Sequence, residues 1–141
     1  MKRIYTLIFV LLVMAAAASA EVREFTKLSV DVPEGWSAEE KSGTVVVIKD
    51  DNTASLTISV AQYEDRQNLA ETAKTFSQGL NGTEPKREPN GSYTFMFNNN
   101  DSYAVINGGL RSYILVTMTG LANAPEVFQS MTSSITLRES M

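Results

Sequence analysis

The stretch Tyr93-Thr94-Phe95-Met96-Phe97-Asn98-Asn99-Asn100-Asp101-Ser102-Tyr103-Ala104-Val105-Ile106-Asn107-Gly108-Gly109 reads as two strands and two turns. Tyr93, Phe95 and Phe97 alternate with Thr94 and Met96, the period at which a pleated strand sends side chains to opposite faces. Asparagine tolerates left-handed backbone and glycine adopts it freely, so Asn99-Asn100 and Gly108-Gly109 are turn signals. A hairpin at the first sets Phe97 opposite Tyr103 and Phe95 opposite Val105. A hairpin at the second sets Val105 opposite Ser112 and Tyr103 opposite Ile114. In this register Tyr93, Phe95, Phe97 and Tyr103 share a face with Val105, Ile114, Val116 and Met118. Met96, Ala104, Ile106, Tyr113 and Leu115 occupy the other face, which is therefore apolar too and also needs cover.

Upstream of this meander, Phe25 to Val32 alternates as a half-buried strand and stops at Pro33-Glu34-Gly35, a turn that delivers Trp36 onto the next strand. Thr44 to Lys49 is a run of β-branched residues that reads as a strand buried on both faces, closed by Asp50-Asp51-Asn52. Ala54 to Gln62 alternates again and completes a hairpin. A helix over Leu69 to Leu80 opens on an Asn68-x-x-Glu71 capping box and stops at Asn81-Gly82. Glu84 to Asn90, with two prolines, is a loop or a guarded edge strand. A second helix follows Asn123-x-x-Glu126 and buries Val127, Phe128, Met131 and Ile135 on one side. The expected cover is the first helix on one sheet face and the second on the other.

Lys2 and Arg3 precede an apolar run from Leu7 to Ala18, and Ala18-Ser19-Ala20 has the small-x-small pattern of a cleavage site. Residues 1–20 therefore read as a secretory signal peptide and 21–141 as a single domain, periplasmic or secreted after cleavage following Ala20. No membrane anchor is expected after cleavage, because the apolar run is shorter than the ~20 residues a spanning helix needs. Loss of Lys2 and Arg3 takes the net charge from −4 to −6. Nucleic acid and anionic membrane surfaces are poor partners for such a chain. The sequence contains no cysteine and no histidine, so packing alone must hold the domain, and disulfides, thiol chemistry and imidazole catalysis are excluded. Asn81, Asn90 and Asn100 stand in Asn-x-Ser/Thr triplets, but each coincides with a turn signal and reads as turn chemistry.

Val32-Pro33-Glu34-Gly35-Trp36, set between a strand and a hairpin, resembles the PsbP/DcrB-like family of small bacterial exported proteins. The order of elements, the Ser92-Tyr93-Thr94-Phe95 strand and the closing helix with Ser134-Ile135 extend the resemblance over nearly all of residues 21–141. It implies an α+β fold, an antiparallel β-sheet with helices packed on its faces as an α/β/α sandwich. It also implies a habit of binding other macromolecules, without a shared catalytic residue to carry over.

No catalytic, cofactor-binding or metal-binding residue is assigned, and the chain is not read as an enzyme. Glu39-Glu40 point to opposite faces of a strand, while Asp50-Asp51 and Glu64-Asp65 read as solvated turns. Asp50-Asp51-Asn52 and the segment from Asn98 to Asp101 lack the spacing of a calcium loop. Trp36 reads as a core anchor. The aromatic set Tyr93, Phe95, Phe97 and Tyr103 is the candidate partner or ligand face, against the plainer reading of a core face beneath a helix. The functional expectation is a non-catalytic domain that binds or helps assemble another envelope protein. The alternative is a carrier of a small apolar ligand between sheet and helices.

Overall fold

A computed structural model describes residues 20–63, 68–109 and 111–137. The signal-peptide reading up to Ser19 and the Glu64-Asp65 pair lie outside the described residues. Among the described residues, strand outweighs helix by 48% to 21%. The described residues form ten strands in two antiparallel sheets, accompanied by two α-helices.

The larger sheet contains β3 (Trp36–Lys41), β4 (Thr44–Lys49), β5 (Ser55–Gln62), β6 (Lys86–Arg87), β7 (Tyr93–Phe97), β8 (Ser102–Gly108) and β9 (Ser112–Thr119). Its spatial order is β3-β4-β5-β9-β8-β7-β6. The smaller sheet sets β2 (Leu28–Pro33) between β1 (Ala20–Glu24) and β10 (Thr136–Leu137). Helix α1 spans Leu69–Gly79 and α2 spans Pro125–Ser134.

The balanced α+β sandwich with helices packed on the sheet faces is overturned by this architecture. The fold is predominantly antiparallel β, and on one face the principal cover is itself a strand. Leu28, Val30 and Val32 alternate inward from β2 and are buried against Trp36, Val45, Val47, Leu56, Ile58 and Val60. Phe128 and Met131 from α2 complete that core, and the Phe128 ring meets Trp36 edge-on at 5.8 Å. A strand of three branched aliphatics buries enough surface to do the work assigned to a helix.

On the opposite face α1 lies over the β7–β8 end, where Ala73 packs with Phe95, Ala104, Ile106 and Leu115. The expected capping box is formed: Asn68 Oδ1 accepts from Glu71 N at 2.9 Å, and Asn68 N donates to Glu71 Oε1 at 3.1 Å. The second box is not. Ala124 is the N-cap of α2, and Asn123 sits in a preceding 3-10 turn with its amide Nδ2 donating to Thr53 O at 2.8 Å. The β4 run is covered on one side only, with Val45 and Val47 buried and Ile48 38% exposed.

The register of the first hairpin differs from expectation by one residue. Phe97 pairs with Ser102, Phe95 with Ala104 and Tyr93 with Ile106. Asn98, Asn99 and Asn100 all hold left-handed backbone, with φ of 53°, 55° and 67°, and Asp101 N closes on Asn98 O at 3.0 Å. The connection therefore takes four residues in place of five, and an odd shift exchanges faces. Packing favours this solution, because it brings the small side chains of Ala104 and Ala73 together beneath α1, both fully buried. In the second hairpin Gly108 pairs with Tyr113, Val105 with Val116 and Tyr103 with Met118. That slide preserves the faces. Tyr63 lies across Gly108, and a Cβ there would collide with the Tyr63 hydroxyl.

Candidate functional site

The register divides the aromatic set. Tyr93, Phe95 and Phe97 remain together under α1, with the Phe95 and Phe97 rings 5.9 Å apart and Phe95 only 2% exposed. Tyr103 projects from the other face, beside Val105 and Ile114. The four residues do not form one partner or ligand face; three are packing for α1. Trp36 is the anchor expected of it, 9% exposed within the principal core.

Tyr103 instead borders a cleft of about 530 Å³. Its floor comes from β8 and β9, through Tyr103, Val105, Ile114, Val116 and Met118. Leu121, Phe128, Ile135 and Leu137 form the walls, and Asn107, Gln129 and Thr132 supply the polar atoms. Ligand sites elsewhere share this pattern of apolar lining with a few polar groups.

The cleft exists because its roof is fastened elsewhere. Ser134 Oγ accepts from Asp31 N on β2 at 2.9 Å, and Phe128 is wedged against Trp36 at the β3 end of the core. Directly after α2, Thr136 and Leu137 pair with Ser29 and Leu28. Helix and following strand are thus tied to β2, while the floor belongs to β8 and β9, and the space between is left unfilled.

Among the described residues no acidic or basic side chain lines the cleft. Thr132 turns its hydroxyl back on its own helix, donating to Phe128 O at 3.0 Å. Among the described residues the Tyr103 hydroxyl has no hydrogen-bond partner. Asn107 Oδ1 accepts from Gly108 N at 2.9 Å, and Asn107 and Gln129 are both exposed at the rim. Such a site can sequester an apolar body and hydrogen-bond a polar end.

Elsewhere the carboxylates serve turns and loops. Asp51 binds Lys49 Nζ at 2.8 Å and Thr53 Oγ1 at 2.6 Å, which lowers its pKa to about 2. Glu40 accepts from Thr26 N and Oγ1 at 3.2 and 3.0 Å. Among the described residues no group of three or more acidic side chains could hold a metal ion, and no helix is long and apolar enough to cross a membrane.

Of the cleft residues, the candidate set read from the sequence contained Tyr103, while Phe128 was expected only as part of the apolar side of the second helix. Pro125, Gln129 and Thr132 were missed, since they stand on the side of α2 that reads as polar. The uneven spread of apolar residues around that helix was the available signal. No protein-family model matches the chain, and no curated protein is significantly similar to it.

Proposed function

We propose that this chain is an exported, non-catalytic binding protein that carries a small apolar ligand in the cleft between β8–β9 and α2. The observation that supports this reading is an open cleft of about 530 Å³ with an apolar floor of side chains from Tyr103 to Met118. A core finished for stability alone fills such space, because interiors pack to the density of organic crystals. Export is the part of the reading that rests on Lys2, Arg3, the Leu7–Ala18 run and Ala18-Ser19-Ala20.

Native mass spectrometry of the protein purified from its own host is the direct test, with a small molecule retained in the spectrum as the expected result. Adding that molecule to stripped protein at a hundred times its Kd should stabilise the fold by about 2.7 kcal/mol, read as a raised melting temperature. A protein that is always recovered empty, and whose melting point no apolar compound shifts, would overturn the carrier reading. Recovery of a bound polypeptide at the cleft would move the weight to assembly with another envelope protein. That second reading draws its support from Leu137, 42% exposed at the lip.

A further inference from the structure

Asn-Gly pairs occur three times in the chain, at Asn81-Gly82, Asn90-Gly91 and Asn107-Gly108. In such a pair the glycine nitrogen can attack the carboxamide that precedes it, because no Cβ on the glycine keeps the two groups apart. The fold holds the three nitrogens differently. We infer that Asn107 is a self-modifying site, where water converts the side-chain carboxamide to a carboxylate through a cyclic imide formed with Gly108, while Asn81 and Asn90 are held unreactive by their turns. This goes beyond the carrier reading and does not depend on it.

The contrast lies in what each glycine nitrogen donates to. Gly82 N donates to Ser77 O at 2.7 Å, and Gly91 N donates to Glu88 O at 2.9 Å. Each must break a turn bond before it can act as a nucleophile. Asn90 is restrained a second time, since its Oδ1 accepts from Ser92 N at 3.0 Å and from Ser92 Oγ at 2.7 Å. Gly108 N is aimed at its own target, donating to Asn107 Oδ1 at 2.9 Å. Strand pairing with β9 does not draw it away: Gly109 N makes that bond, to Ser112 O at 2.8 Å, and successive amides of an antiparallel strand point to opposite edges. Asn107 is exposed, and Tyr63 lies across Gly108 on the other face of the strand, so the carboxamide is open to water.

The chemistry needs only water. Solvent hydroxide takes the proton from Gly108 N, the bond from that nitrogen to Asn107 Cγ forms, and the carboxamide nitrogen takes a proton from water and leaves as ammonia. Water then opens the ring. Breaking the new bond to Cγ yields aspartate. Breaking the bond between the Asn107 carbonyl carbon and Gly108 N yields isoaspartate, whose main chain runs through Cβ and Cγ. Either product adds one negative charge where Asn107 stands at the cleft rim. The mouth of the cleft therefore changes character with the age of the molecule.

The test incubates the folded protein, purified from its host, in mildly alkaline buffer beside a sample held unfolded in guanidinium chloride. Peptide mapping follows all three sites, with fragment-ion sequencing because Asn90 and Asn107 fall in one tryptic peptide between Arg87 and Arg111. The expected result is conversion at Asn107 at least fivefold faster than at Asn81 or Asn90 in the folded protein, with the three rates converging in the unfolded sample. An intact Asn107, or conversion at Asn81 or Asn90 as fast as at Asn107, overturns the inference. So does a ranking that persists unchanged in guanidinium chloride, since it would belong to the local sequence rather than to the fold. Asn107→Gln keeps an amide at this exposed position but requires a larger, less favourable ring. The folded variant should lose most of the early ammonia release, and release at the parental rate would place the reaction elsewhere and withdraw the assignment.

Discussion

The two faces of the seven-stranded sheet are built by the same strands and finished in opposite ways. On one face Trp36, Val47, Leu56, Ile58, Val116 and Met118 form a continuous apolar floor under β2 and α2. On the other, the buried apolar residues gather beneath α1 at the β7–β8–β9 end, while Val46 and the exposed Ile48 stand apart on β4. Toward β4 and β5 hydroxyls appear, with Thr44 bonded to Ser59 at 3.0 Å and Thr57 bonded to Thr117. Cover follows apolar content strand by strand. Where side chains can satisfy one another or water, the sheet stays open, and cross-strand hydroxyl pairs take over the work of stabilisation.

Disturbing the closed face should cost most. Trp36→Ala removes the ring that holds Phe128, and a loss of about 3–5 kcal/mol is expected in a denaturant titration. An unchanged midpoint would remove Trp36 from the core and erase the contrast between the faces. An intermediate effect belongs to the helix-covered end of the second face. A Cβ at Gly82 would lie 2.7 Å from the Phe95 ring and 2.8 Å from the Met96 carbonyl oxygen. Gly82→Ala should therefore cost about 1–3 kcal/mol by overpacking, with near-ultraviolet circular dichroism reporting the displaced aromatic rings.

The open end should tolerate change. Replacing Thr57 and Thr117 together by valine removes both partners of one hydrogen bond at a half-buried position, and a change within about 0.5 kcal/mol is expected. A cost as large as that of Gly82→Ala would mean that this end is packed rather than solvated. The smallest effect lies at the turn between β4 and β5. Asp51 is fully exposed and its pKa is lowered from 3.8 to about 2, first by Lys49 and then by Thr53. A depressed carboxyl contributes stability that is present in full above pH 3.8 and is lost as the pH falls through about 2. Carboxyl titration followed by NMR should show that low midpoint, and Lys49→Ala should move it back toward 3.8.

Residues that lie close together in the chain were the legible part of this molecule. The alternation from Leu28 to Val32, the turn before Trp36, the Asn68–Glu71 cap and the strand from Ser55 to Gln62 are each dictated by residues within a few positions of one another. Fold class was not legible on those terms, because nothing in Leu28-Ser29-Val30-Asp31-Val32 says that this strand leaves the main sheet and roofs it. The Asn123 box failed for a similar reason: Thr53, distant in sequence, offers its carbonyl to the same side chain. Of the aromatic set, the division between Tyr103 and the other three turned on a single residue of turn length. The cleft was least visible of all, since it is a gap left where α2 is fastened to β2, and gaps have no periodicity.

The triple-asparagine turn at 98–100 also bears on how this chain can change over time. Substitution there alters the stability of a loop, whereas adding or removing one residue would exchange the two sides of β7 relative to β8 and send Phe95 toward the cleft. Insertions and deletions, usually the mildest of surface changes in a loop, are here equivalent to rewriting every residue of a strand. Lineages descended from this chain should accordingly keep the length of that turn more faithfully than its letters, and a gap drawn within it by an alignment is a statement about which side of the sheet carries the aromatic rings.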